Sequence, residues 1–187
     1  CFSFLGRAVP QLEAFHAGQH HPTWLVAQRT AFGGIQLLAG IIGKKLFLED
    51  FLPLVDEYRR EWFPDYKFTT VCDPPPSQND DMRFTSINML RQYGLTPRFR
   101  ENANSPDVRE SVIQTIGGMM KRRLGMSQGF LVNSDESRWL MASLALEKPK
   151  HTKLFVDGLD GSYVWDDNLV SVGNKKVRQP KVNQWLE

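Results

Sequence analysis

The run Phe68-Thr69-Thr70-Val71-Cys72 is β-branched and aromatic, and it is followed by Asp73 and then three prolines, Pro74 to Pro76. Proline cannot donate a ladder hydrogen bond or continue a strand, so the extended run must stop at Cys72. Asp73 therefore stands at the carboxyl end of a strand. In α/β sheets ligands gather at such ends, and a carboxylate held there by a proline-rich turn is placed to bind a hard cation through oxygen. Asp-Pro is equally ordinary turn chemistry, so this acid by itself leaves the site and the loop readings open.

The elements before Asp73 read as a meander and a helix. Gln11 to Phe15, Thr23 to Gln28 and Phe32 to Ile42 are three strand-compatible stretches, the first closing near Gly18 and the last two separated by a turn over Arg29 to Ala31. Leu48, Phe51, Leu52, Val55, Tyr58 and Trp62 then recur at helical spacing, with Pro64 just beyond, which predicts an amphipathic helix over 47–62. After the prolines, Phe84, Ile87, Met89, Leu90 and Tyr93 mark a helix closed by Gly94, and Thr96 to Phe99 suits a short strand.

Further along, Ser105-Pro106 starts a helix that runs through Val108, Ile113 and Met119 to Lys121-Arg122-Arg123. Phe130 to Val132 reads as a brief strand, and Ser134 as the cap of another helix through Trp139, Leu140 and Leu144. Gly158 and Gly161 punctuate a hairpin-like tail built from Tyr163 to Trp165 and Leu169 to Val172. A meander followed by alternating helices and strands predicts one mixed α/β domain, and 187 residues suit one such unit spanning 1–187. Trp24 and Trp139 read as core.

Charge and thiols narrow the setting. With 23 Lys plus Arg against 21 Asp plus Glu the net charge is +2, so any nucleic-acid face must come from local clustering. Two cysteines are too few for a disulfide scaffold and favour the cytosol. No apolar run approaches the roughly 20 residues of a bilayer span, and no signal peptide pattern opens the chain. The start at Cys1 without Met and the stop after Trp185-Leu186-Glu187 suggest a domain excised from a longer protein.

Several segments together resemble one family. Phe15-His16-Ala17-Gly18, followed by Pro22 and a strand ending in Gln28, resembles the opening of the nuclease domain of tailed-phage large terminases, where Asp-x-Gly precedes a Pro and a strand ending in Gln. Cys72-Asp73-Pro74-Pro75 is similar to the family's Asp-Pro-Ala-Gly loop, and Thr85-Ser86 and Leu90 to Leu95 fit the helix and turn after it. Arg109 matches an Arg-led helix, Gly161 to Trp165 the late Gly-Tyr hairpin, and Gln179-Pro180-Lys181-Val182-Asn183 the Pro-x-Lys-x-Asn segment. The likeness covers about 11–187.

That resemblance implies an RNase H-like (RuvC/integrase-type) fold, a mixed central β-sheet flanked by helices. It implies a two-metal endodeoxyribonuclease using Mg²⁺ or Mn²⁺ to cut concatemeric double-stranded DNA during genome packaging in the host cytoplasm. Two such ions about 3.5–4 Å apart activate water and stabilise the leaving oxygen. Expected partners are double-stranded DNA and, in a full protein, an ATPase domain, a portal and a small terminase; the domain alone would be a monomer. No Gly-x-x-x-x-Gly-Lys-Ser/Thr loop is present, so the ATPase half is absent from these residues.

Three departures bear on the site. His16 occupies the position of the family's first metal-binding Asp, and imidazole is a poor Mg²⁺ ligand that suits Mn²⁺ or Zn²⁺ better. Leu38-Ala39-Gly40 lacks the acid that often ends the third strand, and the family's third Asp would fall beyond Glu187. Asp73 carries over cleanly, and Asp73 and His16 are the catalytic and metal candidates. Asp160, in an acid-rich stretch with Asp157, Asp166 and Asp167, is a further metal candidate that turn chemistry explains as well. His20 and His21, close to His16, read either as exposed loop residues or as part of a nitrogen-rich site with it, and His151 reads as a surface residue.

Candidate DNA contacts are Lys121, Arg122 and Arg123, the tail residues Lys175, Lys176, Arg178 and Lys181, and Arg83 on the helix after the acid loop. Packed cations neutralise phosphates without reading sequence. The first cluster also suits a helix carboxyl end, and the tail a solvated hairpin. Two other readings stand beside the nuclease: a catalytically impaired DNA-binding or docking module of the packaging motor on the same fold, and an unrelated RNase H-like nuclease of the resolvase or transposase type.

Overall fold

The computed structural model describes residues 11–18, 20–30, 33–73, 81–100, 103, 105–121, 129–145, 148–157, 165–172 and 175–180, with the backbone path alone for 81–85, 121 and everything from 165 onward. The expected meander is present. Strands β1 (Gln11–His16), β2 (Thr23–Arg29) and β3 (Ile35–Gly43) pair antiparallel in sequence, with Phe15 opposite Trp24 and Thr23 opposite Ile42. A register shift between Val26 and Ala27 marks a bulge in β2.

Helix α1 (Leu48–Trp62) carries the chain back across the sheet, burying Leu48, Phe51, Leu52 and Val55 at helical spacing. Its return sets β4 (Phe68–Cys72) parallel to β1, with Gln11 opposite Phe68 and Phe15 opposite Cys72. Helix α2 (Asp81–Gln92) follows and ends at Gly94, whose φ of 73° is the left-handed conformation that favours glycine after a helix. The stretch after it does not form the expected strand. Arg98 alone bridges Val71 in parallel, through Arg98 N–H to the Thr70 carbonyl (2.9 Å) and Cys72 N–H to the Arg98 carbonyl (3.0 Å).

Helix α3 (Pro106–Lys121) and β5 (Phe130–Val132) fall where their patterns placed them, β5 lying parallel to the start of β3. The helix expected from Ser134 through Leu144 is not formed. A single 3₁₀ turn over Glu136–Arg138, capped by the Asp135 side chain on Ser137 N–H, leads into β6 (Trp139–Ala142), which pairs parallel with the end of β3. The reason is that Trp139 and Leu140, 2% exposed each, are buried on opposite faces of the sheet. A four-residue apolar run covered on both sides suits a central strand.

β7 (Lys150–His151) and a one-turn helix α4 (Leu154–Asp157) complete this part, giving the strand order β4-β1-β2-β3-β6-β7 with β5 beside β3. The tail is a separate two-stranded sheet, β8 (Trp165–Val172) and β9 (Lys175–Pro180). These pair antiparallel, Val172 opposite Lys175, so the basic stretch from Lys175 is the second strand rather than a segment beyond it. Tyr163 and Val164 lie outside the described residues.

Two apolar clusters sandwich the sheet. α1, together with Leu90 of α2, covers Phe15, Trp24, Val26, Ala39, Ile41 and Leu140, while Leu37, Ile42, Trp139 and Phe155 form the other. Trp24 is fully buried, so both tryptophans singled out from sequence are core residues. Among the described residues, no helix is long and apolar enough to cross a membrane.

Candidate active site

β1 and β4 are adjacent and parallel, so their carboxyl ends emerge side by side. Phe15 is opposite Cys72, and the next step in each strand brings His16 level with Asp73. The Asp73 backbone N–H reaches the Phe15 carbonyl (3.4 Å), and the His16 Nδ1 and the Asp73 Oδ2 meet in a direct imidazole–carboxylate contact, each side chain about one third exposed. Two candidates 57 positions apart in the chain are thus joined by strand register.

The pair borders a small open pocket of about 30 Å³, room for one water or ion, closed on the other side by Ser86, Ile87 and Leu90 of α2. Gly18 belongs to its wall. A β-carbon at Gly18 would lie 2.9 Å from His16 Nε2 and 3.3 Å from the His21 carbonyl, so a bare backbone is needed for the imidazole to lie where it does. Cys72 also lines the pocket, but burial, and then the neighbouring Asp73 carboxylate, push its thiol up to about 11. It stays protonated at neutral pH and is a poor nucleophile.

Behind the pair lies a buried polar group that the sequence reading missed. Glu13 is fully buried on the face covered by α1 and accepts hydrogen bonds from Thr70 Oγ1 (2.6 Å), Trp24 Nε1 (3.2 Å) and Arg59 Nη2 (3.4 Å). Arg59 Nε also lies 3.1 Å from Glu13 Oε2, and its guanidinium sits 4.7 Å from the Phe68 ring centroid. Glu13 and Thr70 are register partners on β1 and β4. A buried carboxylate must be paired, and this one uses its partners to tie β1, β2, β4 and α1 together just behind His16 and Asp73.

Of the remaining candidates, Asp160, Arg122, Arg123 and Lys181 lie outside the described residues. Lys121 closes α3, Arg83 is on α2, and Lys175, Lys176 and Arg178 are on β9. Asp166 and Asp167 are on β8, and Asp157 closes α4. His151 is exposed on β7, and His20 is exposed too. His21 is not the exposed loop residue expected on one reading: it is half-buried and hydrogen-bonds through Nδ1 to the Gly43 carbonyl (3.2 Å).

As a donor set, one carboxylate and one imidazole do not make a two-ion carboxylate centre, and among the described residues no group of three His, Cys, Asp or Glu side chains converges. What the described pair does make is a held imidazole beside a carboxylate, with Nδ1 committed to Asp73. No family model matches the chain, and no curated protein matches it.

Proposed function

We propose that this chain is an RNase H-like, nuclease-type domain that acts on double-stranded DNA, of the kind that large terminases use to cut packaged genomes. The observation that carries the reading is the meeting of His16 and Asp73 at the carboxyl ends of two adjacent parallel strands. The strand order supports it. A three-stranded meander, a crossover helix and a fourth strand parallel to the first give the part-order 3-2-1-4, with the Arg98 bridge as the start of a fifth parallel position, while β5, β6 and β7 extend the sheet beyond β3.

In this reading Asp73 is the acidic ligand and His16 the group that shares its carboxylate. Mg²⁺ or Mn²⁺ is the proposed cofactor, and its remaining ligands would come from beyond the described residues, with Asp160 the first to test. A nitrogen donor at His16 favours Mn²⁺ over Mg²⁺. The test is cleavage of supercoiled plasmid in either metal. Nicking in Mn²⁺ that Asp73→Ala abolishes and His16→Asp extends to Mg²⁺ supports the reading. No cleavage by His16→Asp in either metal, in a chain extended past Glu187 and with DNA binding intact, removes the nuclease mechanism.

The imidazole in an acid's place favours a second reading, a DNA-binding or docking module that no longer cuts. It predicts DNA binding that survives Asp73→Ala, with no nicking in any metal.

A further inference from the structure

We infer that the turn Lys44–Phe47 is one arm of a phosphate-binding rim along the end of the sheet where His16 and Asp73 meet; the inference rests on the DNA reading above. The turn follows β3 directly, and β3, β1 and β4 all end on this side. Register aligns them, since Ile42 is level with Thr23, Thr23 with His16, and His16 with Asp73.

Lys44 and Lys45 are exposed, and among the described residues neither ammonium has an ion-pair partner, whereas Arg59, Arg60, Arg138 and Lys153 are all paired. The backbone beneath them is held firmly. Lys44 N–H donates to the Ala142 carbonyl (2.7 Å), Gly43 N–H to the Pro22 carbonyl (2.7 Å) and Leu46 N–H to the His20 carbonyl (3.3 Å). Lys45 has a φ of 52°, the one positive value at a non-glycine among the described residues. Phe47 is 55% exposed, an unusual place for a phenyl ring, and stands 5.6 Å from the His20 ring. Exposed cations beside an exposed aromatic are what a nucleic-acid strand uses, phosphates on the one and bases or sugars on the other.

A second arm lies across the site. Arg98 bridges β4, and Arg98 and Arg100 are exposed. From β3 through β2, β1 and β4 to Arg98 there are four strand spacings, about 19 Å at roughly 4.8 Å each, close to the width of a DNA duplex. Glu49 and Asp50 follow Phe47, but they sit in the first turn of α1, where carboxylates complement the helix end.

The test is fluorescence anisotropy of the full chain with a labelled 20-base-pair duplex between 50 and 300 mM KCl. The comparison is Lys44→Gln/Lys45→Gln against Arg29→Gln/Lys67→Gln, an equal charge change at the opposite end of the sheet. Loss of two phosphate contacts should lower the slope of log Kd against log salt by about 1.8 in the first variant and leave it unchanged in the second. An unchanged slope for Lys44→Gln/Lys45→Gln, or an equal loss in both variants, overturns the rim. Absence of salt-dependent binding by the unsubstituted chain overturns the DNA reading itself, and the rim with it.

Discussion

Thr70 Oγ1 donates to Glu13 Oε1 at 2.6 Å across the parallel pair β1 and β4, and three residues further on stand His16, the last residue of β1, and Asp73, the first residue past β4. The buried carboxylate thus joins the two strands whose ends form the candidate site. Its other partners, Trp24 and Arg59, bring in β2 and α1.

Breaking that network should cost more than any surface change. Glu13→Ala takes the shared acceptor from Thr70, Trp24 and Arg59; because Arg59 is partly exposed, the loss should fall towards the lower end of the about 3–5 kcal/mol seen when one partner of a buried pair is removed. Thr70→Val should cost about 1–3 kcal/mol, because a carboxylate oxygen loses its shortest donor. The double change Glu13→Leu/Arg59→Met removes the unpaired charge but leaves the Thr70 hydroxyl and the Trp24 N–H without their acceptor, so it should recover only part of the loss. Urea unfolding of the four proteins checks the order.

Gly18→Ala should displace His16. The added carbon meets the imidazole at 2.9 Å, while the loop it sits in is half-exposed, so stability changes little. The expected result is loss of the His16–Asp73 hydrogen bond in the imidazole nitrogen NMR shifts. Any Mn²⁺-dependent nicking should fall roughly tenfold to a hundredfold, as small misplacements at a reacting centre do.

Gly117→Ala on α3 should act in the opposite sense. Nothing lies within 4 Å of the added carbon, and alanine in a helix interior is favoured over glycine by about 0.5–1 kcal/mol. A rise in thermal midpoint with unaltered DNA binding is the expected result; a fall would mean that the helix face is tightly covered.

Cys72 should alkylate slowly at neutral pH. With its thiol pushed up to about 11, the thiolate fraction grows tenfold per pH unit until then, and the rate with iodoacetamide should follow it. The native state favours the protonated thiol, so this contribution to stability is whole below about pH 9 and is lost as the pH rises towards about 11. Denaturant midpoints of Cys72→Ser against the unsubstituted chain over pH 8–11 check the sign.

Local chemistry made much of this protein legible. Proline placed the end of β4 and so the position of Asp73, and the spacing of Leu48, Phe51, Leu52 and Val55 marked α1 and its buried face. Those signals act over a few residues, within reach of a sequence pattern. Tertiary structure decided the rest. Trp139 to Ala142 is a strand because both of its faces are covered by elements distant in the chain, a condition that capping at Ser134 cannot foresee. Glu13, in a run that alternates like any strand, is a buried carboxylate only because Arg59 and Thr70, 46 and 57 positions away, arrive to pair with it. His16 and Asp73 follow the same logic. Each residue type was visible in the sequence, but their contact exists because the α1 crossover lays β4 parallel to β1 in one register, which brings both carboxyl ends to the same edge.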